Sequence, residues 1–138
     1  MDLEIKTVSG QGVAPAVGPY SHAAVYGDLV FVSGNVALDV NGTLRKGSAA
    51  QEARHALTNL RKVLRSAGCD LSDVIKTTIF ITDMADYSEV NAVYQEEFES
   101  HAPARSCVGV AELPLGARVE IEAIARHRAV QDRTKEDT

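Results

Sequence analysis

Two amphipathic helices are written into this chain, and they limit what it can fold into. Ser48 with Gln51 three residues later makes a capping box. Ala53, Ala56, Leu57, Leu60, Val63, Leu64 and Ala67 then follow the i, i+3, i+4, i+7 stripe of a helix with one buried face. Gly68 supplies the C′ glycine that ends it. A second helix starts at Asp86, with Glu89 completing the cap, and carries Tyr87, Val90, Tyr94 and Phe98 along one side. It has to fray before Pro103, because the residue preceding a proline avoids the helical region. Most of the remaining pattern is strand and turn. Two such helices can cover one face of a five- or six-stranded sheet, but not both.

The strands follow from alternation and turn chemistry. Leu3 to Val8 alternates apolar and polar residues. SHAAVY and LVFVS flank Gly27-Asp28, the signature of a type II′ hairpin, with Gly34 ending the second strand and Asn41-Gly42 marking another turn. Residues 74–82 set Ile75, Thr77, Ile79 and Ile81 against Lys76, Thr78, Phe80 and Thr82. Residues 103–122 hold two further extended runs, joined by a segment containing Pro114 and Gly116. The order β, ββ, α, β, α, ββ predicts an α+β fold, a mostly antiparallel sheet with both helices on one face. The other face, with Phe80 in a threonine-rich row, is then left for burial between subunits. A closed homo-oligomer with sites at its seams is expected.

The composition excludes several function classes. At 138 residues the chain makes one domain with its own core, and its net charge of −5 argues against nucleic acid, which requires a basic stripe. No apolar run approaches the ~20 residues of a membrane helix, and MDLEIK has no apolar signal core. Cys69 and Cys107 form neither a disulfide framework nor a metal spacing, so free thiols in a reducing, cytoplasmic compartment are expected. His22, His55, His101 and His127 lack zinc-ligand spacing. Arg54, Arg61, Lys62 and Arg65, with Glu52 interleaved, read as a solvated helix face. The charged segment 128–138 has nothing to bury and reads as a disordered tail beyond a domain of residues 1–127.

Chemistry concentrates between 103 and 122. Arg105 has two readings, a solvated strand arginine or a fork that grips a carboxylate bidentately. Glu120, between Val119 and Ile121, is likewise either half of a solvated pair or an acid–base group. If the two runs form an antiparallel hairpin with Cys107 opposite Glu120, then Arg105, Cys107, Glu120 and Glu122 share one face. Cys107 is a nucleophile only with a stabilised thiolate, and otherwise a buried structural thiol. Spacing alone does not fix the substrate.

PARSCVGVAELPLGARVEIEA resembles the signature of the RidA/YjgF family of reactive-intermediate deaminases. GPYSHA at 18–23, LVFVSGNVALD at 29–39, ALTNLRKVLRSAG at 56–68 and MADYSEVNAVYQEEF at 84–98 fall in the same order and spacing. The resemblance implies a chorismate-mutase-like α+β fold and a barrel-like homotrimer with clefts between subunits. It implies hydrolysis of 2-imino acids or their enamine tautomers to 2-oxo acids and ammonia, with no metal or organic cofactor. On that resemblance Arg105 grips the substrate carboxylate and Glu120 positions or activates water, while Tyr20, Ser33, Asn91 and Cys107 line the same cleft. Asn35 stands where a glutamine is common and His22 is a less usual neighbour of Tyr20, which leaves the specificity open. Relatives of this framework include deaminases of aminomuconate- or aminoacrylate-type intermediates, and others described as ribonucleases or translation inhibitors. A protein that only binds or protects a small carboxylate ligand is a further alternative.

Overall fold

The computed structural model describes residues 4–127. The predicted tail at 128–138 and the start of the first predicted strand lie outside them. Six strands, β1 Lys6–Val8, β2 Ala23–Tyr26, β3 Leu29–Asn35, β4 Val74–Ile81, β5 Ala104–Gly109 and β6 Val119–Arg126, accompany two helices, α1 Ala49–Ser66 and α2 Tyr87–Phe98. The strands form one sheet in the order β1-β2-β3-β6-β4-β5. Every pair is antiparallel except β4 with β5.

α1 carries the caps its sequence predicts. The Gln51 N–H donates to Ser48 Oγ at 3.1 Å, and the Ser48 N–H donates back to Gln51 Oε1 at 2.9 Å. At the other end Gly68 takes φ +81°, with Cys69 N–H on the Leu64 carbonyl and Gly68 N–H on that of Arg65, a Schellman motif. The buried stripe of α1 shares one core with Val30, Val32, Ile79, Ile81, Val119, Ile121, Ala123 and Ala125 of the sheet and with Val90, Tyr94 and Phe98 of α2. Both helices therefore lie on one face, as predicted. Leu57, Leu60 and Leu64 are all but fully buried, each contributing about 1.5–3 kcal/mol.

Several local expectations are corrected. Glu52 is not part of a solvated face but is 1% exposed, because its carboxylate accepts the Arg118 N–H at 2.8 Å and so ties α1 to the start of β6. Asp86 makes no capping bond. A 3-10 turn, Met84–Asp86, leads into α2, and Asp83 caps that turn by accepting the Ala85 N–H. Ile75 is exposed rather than inward-facing, since the β4–β6 register shifts between Val74 and Lys76 and Val74 takes the buried place. β3 does not stop at Gly34. It continues to Asn35 through a register shift against β6 after Val32, a bulge that re-aims Ser33 and Gly34.

The expected β5–β6 hairpin is absent because β4 lies between the two strands. A helix between two strands permits a parallel crossover, and α2 lays β5 beside β4 in that way, leaving the other edge of β4 to β6. Arg105 is in register with Thr77 and through it with Ala123, and Cys107 with Ile79 and Ile121. Glu120 is in register with Phe80, and Glu122 with Thr78 and Ser106. Lateral neighbours share a face while successive residues alternate. Arg105 and Cys107 therefore lie on the helix-covered face, and Glu120 and Glu122 on the open one.

Candidate active site

Arg105 is held on the edge strand by α2. Its Nη1 donates to Asn91 Oδ1 at 2.7 Å and its Nη2 to the Tyr87 hydroxyl at 2.9 Å. The guanidinium lies 5.0 Å from the Tyr94 ring centroid and 5.6 Å from that of Tyr87. Tyr94 is fixed in turn by a 2.7 Å hydrogen bond between its hydroxyl and Thr77 Oγ1. These contacts orient the fork with neutral oxygens and aromatic faces, leaving its charge and three of its five N–H donors for an anion. Asn91, predicted to line the cleft, has its carbonyl oxygen engaged with Arg105 itself. The Cys107 thiol is raised above the ordinary thiol range by burial, which the neighbouring Arg105 charge only partly offsets. That direction favours the thiol over the thiolate, and the nucleophile reading loses its support.

Glu120 belongs to a second group. It lines a cavity of about 390 Å³ together with Tyr20, His22, Ser33 and Asn35, under apolar walls from the 10–20 loop and the turn at Pro114 and Leu115. The bulge in β3 brings Gly34 against its carboxylate, close enough that any Cβ at position 34 would collide with it. Burial raises the Glu120 pKa above the ordinary carboxylate range, and the Glu122 charge adds to the rise. A carboxylate in that setting is a stronger base than a solvated one. Ser33 Oγ donates to the Ser21 carbonyl at 2.7 Å, and Asn35 Nδ2 to the Ser33 carbonyl at 2.9 Å. Asn59 holds the wall in place by donating to the carbonyls of Val36 and Leu38.

Within one chain the predicted residues thus fall into two sets. Tyr20, Ser33 and Glu120 meet in the cavity, whereas Arg105, Asn91 and Cys107 sit at the β5 edge on the opposite face. Arg105 is three residues out of register with Glu120 and two strands away, roughly 14 Å between Cα atoms from standard strand spacings. Two residues of the Arg105 clamp, Tyr87 and Tyr94, fit an apolar stripe in the sequence, and neither by itself gives a sign of this contact. Their spacing with Asn91, at i, i+4 and i+7, places a hydroxyl, an amide and a ring in one row, a signal for a guanidinium clamp. Among the described residues no group of three histidine, cysteine, aspartate or glutamate side chains gathers where it could hold a metal ion.

Comparison with known proteins narrows the chemistry. The family model described as Endoribonuclease L-PSP matches residues 11–127. A 2-iminobutanoate/2-iminopropanoate deaminase of Bos taurus is 45% identical over 121 residues, covering 87% of this chain and 88% of that protein. The Homo sapiens protein of the same name is 42% identical over 127 residues, covering 91% and 93%. The crystal structure of the YjgF gene product from E. coli superposes with a TM-score of 0.82 at 35% identity, covering 89% of this chain and 99% of that one.

Proposed function

We propose, for a chain that belongs to the endoribonuclease L-PSP family (the RidA/YjgF family), hydrolytic deamination of 2-imino acids and their enamine tautomers. The substrates are of the 2-iminobutanoate and 2-iminopropanoate type, and the products are 2-oxo acids and ammonia. The observation that carries this reading is the Arg105 clamp. An arginine oriented by Asn91, Tyr87 and Tyr94, with no carboxylate partner among the described residues, is built to receive a carboxylate from outside. The separation of Arg105 from Glu120 supports a site shared between chains. In the proposed homotrimer, Arg105 of one subunit faces the Glu120 cavity of its neighbour.

The mechanism asks little of the protein, because an iminium carbon is already electrophilic. Arg105 holds the substrate carboxylate and fixes the reacting carbon. Glu120 holds a water and takes one of its protons as the oxygen bonds to C2, giving a carbinolamine. It returns that proton to the nitrogen, the C–N bond breaks with its electron pair leaving on ammonia, and the ionised Glu120 takes the carbinol O–H proton as the 2-oxo group forms and passes it to the ammonia. Proton shuttling of this kind is worth ~10²–10⁴-fold. Among the described residues no helix is long and apolar enough to cross a membrane, and we place the activity in the cytoplasm.

The test is release of ammonia and 2-oxo acid from freshly generated iminopropanoate and iminobutanoate, comparing wild type with Arg105→Ala. Acceleration over buffer by the wild type, largely lost in the variant, is the expected result. Full activity in Arg105→Ala would overturn the site.

A further inference from the structure

His22 has no role in the chemistry described above, yet it lines the cavity that holds Glu120. Its ring is anchored on one side, where Nδ1 accepts the Gly10 N–H at 2.8 Å. A Cβ at Gly10 would meet Val13 at 2.7 Å and His22 Nδ1 at 3.3 Å, so the backbone reaches the ring only because residue 10 is glycine. An Nδ1 that accepts a hydrogen bond carries no proton, and the neutral imidazole is then the Nε2–H tautomer. Nε2 has no protein partner among the described residues, and it is not among the buried polar atoms left unpaired. Nε2 therefore keeps some accessible area on a residue that lines the cavity.

We infer that His22 is a specificity-determining residue whose Nε2–H donates to an acceptor on the substrate side chain. Among imino acids with longer side chains, those bearing a carbonyl or hydroxyl oxygen beyond Cβ are favoured over hydrocarbon ones of the same size. This rests on the reading that the Glu120 cavity takes the imino acid. The discrimination has a direct physical source. A hydrocarbon side chain would displace water from the donor without replacing its hydrogen bond, and a site built around such a donor disfavours the analogue that lacks the acceptor.

The test uses two nearly isosteric substrates, the imines generated by an L-amino-acid oxidase from asparagine and from leucine, and reads the ratio of their kcat/KM values. His22→Gln keeps a donor near the Nε2 position and loses the acceptor at Nδ1. His22→Asn keeps an acceptor near Nδ1 for Gly10 and loses the donor. Wild type is expected to favour the asparagine-derived imine by about tenfold or more. His22→Gln should keep most of that ratio, and His22→Asn should bring it close to one.

A wild type without preference overturns the inference. So does the reverse pattern, with His22→Asn behaving as wild type and His22→Gln impaired equally on both substrates, which is the mark of a purely structural anchor. If no imine, iminopropanoate included, decays faster than in buffer, the deaminase reading fails by itself. Calorimetric binding of 2-oxosuccinamate against 4-methyl-2-oxopentanoate then decides the role of His22 by the same variant pattern.

Discussion

Gly34→Ala tests whether the position of the Glu120 carboxylate, and not merely its presence, sets the rate. A Cβ at residue 34 would collide with the Glu120 carboxylate and lie 2.8 Å from its Cδ and 3.0 Å from its Cγ. All three atoms have to retreat, which shifts the carboxylate by ~1 Å, a displacement that costs up to ~10²-fold in rate. The backbone at Gly34 is not in the left-handed region, so alanine fits its conformation and the fold should survive. Arg105 lies on the other face and keeps its clamp, so KM should move only a few-fold. The assay is steady-state release of 2-oxo acid from iminobutanoate, with thermal unfolding of the same samples as control. A wild-type kcat in a folded variant would refute the argument, because the contact would then be relieved without disturbing the base. A parallel fall of kcat and melting temperature would refute it equally, by showing that residue 34 serves folding.

The pH dependence follows from the raised Glu120 pKa. Glu120 has to be ionised to take a proton, so kcat/KM should fall on the acid side sooner than for an ordinary carboxylate. Glu122→Gln should move that limb to lower pH without restoring an ordinary profile, because burial, the larger cause, remains. For stability the sign runs the other way. A carboxyl with a raised folded-state pKa favours the folded state below its unfolded pKa and loses that contribution as pH rises through the folded value. Tyr87→Phe removes one of the two hydrogen bonds that orient the Arg105 fork and leaves the aromatic face in place. A rise in KM of about 3–10-fold, corresponding to roughly 0.5–1.5 kcal/mol, is expected with kcat little changed. Unchanged KM would show that Asn91 and Tyr94 suffice.

What the sequence reveals depends on whether a feature is local. The caps of α1, its buried stripe and the Gly27-Asp28 hairpin depend on neighbours a few residues apart, and the structure has all of them. Placing β4 between β5 and β6 depends on a crossover through α2, and no spacing within 103–122 reports it. The same gap explains Glu52. It lies four residues before Ala56, on the flank of the apolar stripe, but a carboxylate there reads as solvated because its partner, the Arg118 N–H, is 66 residues away. Arg105 and Glu120 stood out as charges on apolar runs, but their placement on opposite faces became visible only with the strand order. Tyr87 was hidden for a different reason, since an aromatic residue at a stripe position satisfies a core pattern whether or not its hydroxyl has a second task.

The division of the site between two faces also bears on the stability of the chain. The helices cover the face that carries Arg105, so the guanidinium is held by a packed element. The face that carries Glu120 has no such cover, and Tyr26, Leu29, Phe31 and Val108 remain between 37% and 43% exposed on it. Apolar area left open in this way favours association, at about 25 cal/mol per Å² removed from water. Neither need is met within one chain, because the fork cannot reach around the sheet edge and the helices are already committed to the other face. A neighbouring subunit that buries the open face and brings its own Arg105 to the cavity would satisfy both at once. In the proposed homotrimer, the surface that would drive assembly and the surface that would complete the chemistry are then parts of one interface.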